Sequence, residues 1–267
     1  MSQLLNYKLE GEGHTIVLIH GLFGNLDNLG LLARNLKLDH QVLSIDLRNH
    51  GQSFQSKTHT YQSQAEDVCR LLEHLNISDF SLIGHSMGGK VAMKVAELMK
   101  NKVRQLVVLD IAPVDYQVQR HDNVFNGLKA VNEAKPSTRK QALEVLAEHI
   151  EIEGVRQFLG KSLYKQDDHL AWRFNVENLW SNYRNIMGWQ PISTIATPTL
   201  FVKGANSDYL QAEHQSQIQA QFSQAKRTSS PTLDTGYMRK NQKKYYELFV
   251  NLLRKHKVTI FHINFGS

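Results

Sequence analysis

Residues 79–90, DFSLIGHSMGGK, join a short apolar run to an amphipathic helical pattern through a glycine-rich turn. Within them Gly84, His85, Ser86, Met87 and Gly88 spell G-x-S-x-G, a pattern that acquires chemical meaning only between a strand and a helix. A turn that sharp forces its central serine into a strained backbone conformation, and small neighbours let the two backbones approach. Gly84, Gly88 and Gly89 meet that need. The helix that starts here directs unpaired backbone N–H groups and its positive dipole end toward any oxyanion formed beside Ser86.

Outward from this turn, short apolar runs bounded by turn signals recur at 14–20 (HTIVLIH), 40–46 (HQVLSID), 104–110 (RQLVVLD) and 198–203 (PTLFVK). Together with 79–84 they read as buried strands. Helical patterns centred on 64–75 and 86–99 separate them, so strands alternate with helices, which predicts a mostly parallel sheet covered on both faces. From about 114 to 188 the strand signal disappears and helical patterns such as STRKQALEVLAEHI and GVRQFLGKSL replace it. The expected organisation is an α/β core over 1–113 and 189–267 with a helical cap insertion at 114–188, placed over the C-terminal ends of the strands, where ligands bind.

The chain has 267 residues, 41% of them hydrophobic, enough for the core of one sizeable domain, and no linker-like stretch divides it. Its single cysteine, Cys69, lies in the helical stretch AEDVCRLLEHL, which excludes an internal disulfide and fits a reducing compartment. The first residues, MSQLLNYKLEGEG, carry no basic region followed by a long apolar run, and no stretch approaches eighteen apolar residues. A cytoplasmic protein without a membrane segment is expected.

Two loops complement the serine turn. In TIVLIHGLFGN, His20 and Gly21 follow the first strong strand, and the backbone N–H of Leu22 is a candidate oxyanion donor together with that of Met87. His20 reads as a loop-shaping residue. In IDLRNHGQS, Arg48, Asn49 and His50 can shape the site from below through loop hydrogen bonds, and Gly51 can supply a backbone position with positive φ.

HGLFGNLDNLG, DLRNHGQS, GHSMGGK and LDIAPVDY, in this order and spacing, resemble the α/β-hydrolase superfamily. More narrowly they are similar to the bacterial YbfF-type esterases and their eukaryotic relative, α/β-hydrolase domain protein 11. The similarity runs from about residue 4 to 226 and includes RHDNVFNGLKAVNEA and WRFNVENLW inside the insertion. It implies hydrolysis of short-chain acyl esters or thioesters through an acyl-serine intermediate, with a small-molecule substrate and no metal or cofactor. A serine nucleophile needs a base, and the base needs an orienting carboxylate. Asp110 ends the strand RQLVVLD and matches the aspartate that carries this role in the family's DIAPVDY motif; Asp208 in GANSDY, after the next strand, is the alternative acid.

The base is missing. In the resembled family it lies in a segment like GTGHWLHAEKPEEVL, but the corresponding place here, residues 234–248, reads DTGYMRKNQKKYYEL, with no histidine between His214 and His256. The similarity stops wholesale near Arg227, which a single substitution does not explain. Permitted codons for Leu233 to Tyr246, read after dropping two bases, translate as GHWLHAEKPEEVL, with the histidine codon spanning Asp234 and Thr235. Residues from about Arg227 onward are therefore expected to be an out-of-frame translation, in which a final strand and helix have no reason to pack.

The same reading covers the charge. The first 226 residues balance 23 Lys+Arg against 23 Asp+Glu, so the whole net charge of +6 resides in the last 41. MRKNQKK is a basic run of the kind that contacts phosphates, but without an interleaved recognition motif it is a solvated surface, and no nucleic-acid partner is expected. The competing reading is a non-catalytic binder of a small ligand beneath the insertion, which loss of the histidine favours and retention of Ser86 with both oxyanion loops opposes. How Trp172, Phe174, Trp180 and Trp189 close over Ser86 would set the acyl length, although such aromatics more often build the core.

Overall fold

The computed structural model describes residues 3–204 and 207–230. A seven-stranded sheet organises them, with strands β1 (Tyr7–Glu10), β2 (Thr15–Ile19), β3 (Gln41–Ile45), β4 (Phe80–His85), β5 (Val103–Leu109), β8 (Thr199–Gly204) and β9 (Ala225–Ser230) in the order β1-β3-β2-β4-β5-β8-β9. Only β1 runs antiparallel to its neighbour, Tyr7 facing Ile45; from β3 to β9 every pairing is parallel. The five sequence-predicted strands are all present. β1 was not read from the sequence: YKLE is four residues long at the sheet edge and largely exposed, so it lacks the apolar run that marks the buried strands.

The inner strands are buried because helices cover both faces. Residues 15–19 of β2 are buried throughout, as are 80–84 of β4. Alternate residues of these strands divide between two cores. Ile16, Leu18, Ile83 and Val107 face α1 (Gly30–Leu36), while Val17, Ile19, Leu82 and Val108 face α2 (Tyr61–His74) and α3 (Met87–Met99). Each such side chain contributes about 1.5–3 kcal/mol relative to exposure. The α2 start is set by Thr60, whose side chain accepts the N–H of Ser63 while Ser63 returns a bond to the Thr60 backbone. Cys69 is half-buried against the larger core, and burial pushes its thiol up to about 11, so it packs as a neutral group. None of the described helices is long and apolar enough to cross a membrane.

Between β5 and β8 the chain forms α4 (Asp122–Ala134), α5 (Arg139–Ala147), α6 (Glu153–Gly160), a hairpin of β6 (Leu163–Gln166) and β7 (His169–Trp172), α7 (Val176–Ser181) and α8 (Tyr183–Met187). The hairpin departs from the expected all-helical insertion. Its strands have four residues each, too few to show a period of two, and the turn depends on Asp167 at φ 52. The insertion touches the strand-end loops directly: Asn175 N–H donates to Asn49 O at 2.9 Å, and Ser162 Oγ donates to Phe23 O at 3.0 Å.

After β8, α9 (Gln215–Gln221) leads into β9. Arg227 to Ser230, where the sequence departs from its family pattern, pair in parallel with Phe201 to Gly204. Parallel pairing uses backbone groups alone, so a strand can extend through residues whose side chains carry no pattern. The stretch 233–246, the basic run within it, and His256 and His262 lie outside the described residues.

Candidate active site

Four successive strand ends carry a non-glycine residue with positive φ: Phe23 (61°) after β2, Asn49 (65°) after β3, Ser86 (52°) after β4 and Asp110 (59°) after β5. Such conformations cost of order 1–3 kcal/mol each and persist where surrounding structure over-determines them. They lie along one edge of the sheet, the C-terminal end of its parallel strands.

Ser86 follows the last residue of β4 and caps α3, with φ 52 and ψ −122. Its N–H donates to Leu109 O at 2.8 Å, and its own carbonyl accepts the N–H of Gly89 at 2.7 Å, so the turn is held from both sides. The glycines allow this closeness. A Cβ on Gly84 would lie 2.2 Å from Gly88 O, and one on Gly88 would lie 2.3 Å from His20 O and 2.4 Å from Ile19 O.

The loop after β2 is equally constrained. Gly24 N–H donates to Gly21 O at 3.1 Å, closing a turn over Leu22 and Phe23, and the Asp46 carboxylate accepts the N–H groups of Leu26 at 2.7 Å and Gln52 at 2.9 Å. Gly21 sits against the serine turn: a Cβ there would be 3.3 Å from Ser86 Cβ. Leu22 and Met87, the expected oxyanion donors, both line one small cavity with Ser86. Met87 begins α3, where a backbone N–H has no acceptor within the helix.

His20 and His50 support this loop as neutral rings. His20 Nδ1 lies 2.8 Å from Gly21 O while its Nε2 accepts Leu47 N–H at 3.1 Å; His50 Nδ1 lies 3.0 Å from Arg48 O while its Nε2 accepts Phe23 N–H at 3.3 Å. Each ring must carry its proton on Nδ1, and burial holds both below the ordinary histidine range. Arg48 clamps Asp67 through Nε at 2.6 Å and Nη2 at 2.9 Å, and Asn49 binds Ser56 and accepts from Asn178 Nδ2 of α7 at 3.1 Å. Gly51 has φ 57. DLRNHGQS thus ties the loop after β2 to α2 and the insertion.

The two candidate acids differ sharply in position. Asp110 follows β5; its N–H donates to Val202 O at 2.8 Å and its carboxylate accepts Gly204 N–H at 2.9 Å, next to the His85–Ser86 turn, where its charge acts on the His85 ring. The Asp208 side chain is 61% exposed and pairs with Arg120 at 2.5 Å, a contact that lowers its carboxyl pKa. No hydrogen bond joins a histidine ring to the Ser86 hydroxyl or the Asp110 carboxylate among the described residues.

The cavity holding Ser86 is about 30 Å³, and its walls are Leu22, Tyr61, Met87, Ile111, Tyr116, His121, Ile186, Met187 and Tyr209. Sequence reasoning missed Tyr61, Tyr116, His121 and Tyr209 as wall residues; Tyr116 and His121 lie inside the quoted motifs LDIAPVDY and RHDNVFNGLKAVNEA, the signal that could have found them. Conversely, Trp172, Phe174 and Trp189 are buried in the core, and Trp180 packs on Phe125 with ring centroids 5.0 Å apart. His121 accepts or donates at Nδ1 with the Tyr183 hydroxyl at 2.7 Å, and burial, reinforced by Arg120, pulls its pKa down to about 4.

A strained serine between a parallel strand and a helix, facing the strand-end loop that carries Leu22, also has counterparts of known family. The alpha/beta hydrolase fold family matches residues 14–234. The chain belongs to that family. Esterase YbfF of Escherichia coli is 44% identical over 211 residues, covering 79% of this chain and 82% of that protein. The sn-1-specific diacylglycerol lipase ABHD11 of Danio rerio is 37% identical over 223 residues, covering 80% of this chain and 70% of its own length. Among solved structures, a marine microorganism esterase superposes with a TM-score of 0.87 at 32% identity, over 94% of this chain and 99% of its own. By family this α/β hydrolase is a carboxylic-ester hydrolase.

Proposed function

We propose that the chain is built as a serine esterase or thioesterase of the cytoplasm that cleaves short-chain acyl esters through an acyl-serine intermediate on Ser86. The observation that carries this is the strained Ser86 turn sharing one small cavity with Leu22 and Met87. Where the family's histidine base is present, Ser86 Oγ attacks the acyl carbon, its proton passes to that base, and the resulting oxyanion is held by the N–H groups of Leu22 and Met87. Collapse of that intermediate expels the alcohol or thiol, which takes up the proton, and water then cleaves the acyl-serine by the same route. Loss of one oxyanion donor costs a factor of roughly 100 to 1,000 in turnover. The narrow, aromatic-walled cavity at Ser86, bounded by Tyr61, Tyr116 and Tyr209, supports small acyl groups.

Asp110 is the proposed acid, because it lies beside the serine turn while Asp208 is committed to Arg120 at the surface. The base is proposed to be lost from this reading frame. The family match ends at residue 234, within the stretch whose shifted frame yields GHWLHAEKPEEVL. Without a base, a triad enzyme keeps roughly a thousandfold over water from its oxyanion hole and binding.

The decisive comparison is p-nitrophenyl butyrate hydrolysis by this chain and by a version carrying the shifted-frame segment, each beside its Ser86→Ala variant. Restored, Ser86-dependent turnover only in the shifted-frame version is expected. Equal Ser86-dependent activity in both sinks the claim that the base is lost, whereas binding of a small ligand without turnover in either favours a non-catalytic binder. Sequencing the coding DNA across codons 224–250 tests the origin: codons unable to give GHWLHAEKP when shifted rule out the frameshift.

A further inference from the structure

Lys90 stands one helical turn after Ser86 on α3 and is 1% exposed. Its ammonium donates to three backbone carbonyls: Val114 at 2.8 Å, Met187 at 3.1 Å and Gly188 at 2.8 Å. Val114 lies where the chain leaves the sheet for the insertion; Met187 and Gly188 lie where it returns. The faces of Tyr116, Tyr61 and Trp189 surround the same nitrogen, 4.7, 5.4 and 5.9 Å from it. Among the described residues no carboxylate forms an ion pair with Lys90.

Burying an ammonium is costly, and a hydrocarbon side chain of the same length would fill the space without that cost. Burial pulls the group down to about 7, and the charge of Asp115 opposes the pull; the three carbonyls and three aromatic faces also favour the charged form. What the ammonium supplies, and a hydrocarbon cannot, is three donors on one atom. The neighbouring crossing carbonyls are bound from the core as well: Gln221 Nε2 donates to Pro113 O at 3.1 Å and the Tyr61 hydroxyl to Ile186 O at 2.5 Å. Tyr116 N–H donates to Met187 O at 3.0 Å, joining one crossing to the other.

We propose that Lys90 is a positioning residue for the reaction at Ser86: by binding both crossings at one nitrogen, it sets how Tyr116, His121, Ile186 and Met187 sit over the nucleophile. The catalytic half of this proposal rests on Ser86 being the nucleophile; the clasp itself does not.

Hydrogen exchange of the full chain and ester hydrolysis by its shifted-frame version, each compared with Lys90→Met, Lys90→Gln and Ser86→Ala in the same background, test both halves. In Lys90→Met, peptides spanning 111–118 and 183–190 are expected to exchange at least about tenfold faster, as Val114 O, Met187 O and Gly188 O lose the Lys90 donor and Met187 O keeps only Tyr116 N–H, while β2 and β4 keep their protection. Lys90→Gln, which retains two donors, falls between. The KM for p-nitrophenyl butyrate rises more than kcat changes. Unchanged exchange at the crossings, an equal acceleration throughout the sheet, or faster crossings with unaltered kinetics each overturn the proposal. If Lys90→Met does not fold, ¹⁵N-lysine spectra of the unaltered chain decide: a slowly exchanging, ring-shifted Lys90 ammonium supports the clasp and a solvent-exchanging one refutes it. Wild-type hydrolysis by Ser86→Ala removes the nucleophile reading, and the exchange result still judges the clasp.

Discussion

The backbone N–H of Ser86 donates to the carbonyl of Leu109 at 2.8 Å, so the proposed nucleophile and the proposed acid, Asp110, are fixed across one step of the sheet. This bond continues the β4–β5 ladder, in which His85 pairs with Leu109, one residue past the last regular pair. Separation of the two functional residues is thereby set by strand register instead of by loop conformation. Asp110 is anchored in the same way on its other side, through Val202 and Gly204 of β8.

Strain at Ser86 predicts a stability cost separable from activity. Ser86→Gly should be more stable than Ser86→Ala by about 1 kcal/mol, because glycine adopts φ 52 and ψ −122 freely whereas alanine keeps the Cβ penalty. Both variants should lack Ser86-dependent hydrolysis. Urea unfolding of the pair checks this; equal midpoints would show that the turn stores no strain.

Gly88→Ala should be far worse than an ordinary helix substitution. The new methyl would lie 2.3 Å from His20 O and 2.4 Å from Ile19 O, both backbone atoms that cannot rotate away. A loss of about 2 kcal/mol or more is expected, with hydrolysis falling as the oxyanion loop is displaced. A thermal shift no larger than that of an exposed Gly→Ala change would contradict the close approach.

For the acid, the shifted-frame version provides the test. Asp110→Asn should lower kcat by about 10⁴, the loss expected when a triad carboxylate no longer holds the imidazole tautomer, while Asp208→Asn should stay within a few-fold. A large effect at Asp208 with little at Asp110 would reverse the assignment.

Acid should weaken this fold through its buried histidines. Burial lowers His59 from 6.5 to about 3 and His121 to about 4, and holds His50 well below the usual range. Because the folded values lie below the unfolded one, the stabilisation from the neutral rings is complete above pH 6.5. It drains as pH falls below 6.5 toward about 3, the window set by His59, with a total on the order of a few kcal/mol. His59→Gln should be less stable at pH 7 yet lose less stability between pH 7 and 4.5 by urea denaturation.

The sequence by itself determined the parallel α/β core and the Ser86 turn, because each depends on local patterns: apolar runs, glycine where backbones meet, a helix start after a strand. It also showed that the family's base is absent from its usual segment, since that is a statement about order along the chain. Only the tertiary structure separates the surroundings of Asp110 and Asp208, because both follow strands and differ in what faces them: the serine turn in one case, Arg120 and solvent in the other, which supports Asp110 as the proposed acid. It likewise assembled the cavity wall from Tyr61, Tyr116, His121 and Tyr209, and gave Lys90 its three carbonyls at the two ends of the insertion. Periodicity records that a side chain is buried; which distant backbone it meets there is decided when the insertion folds back onto the sheet.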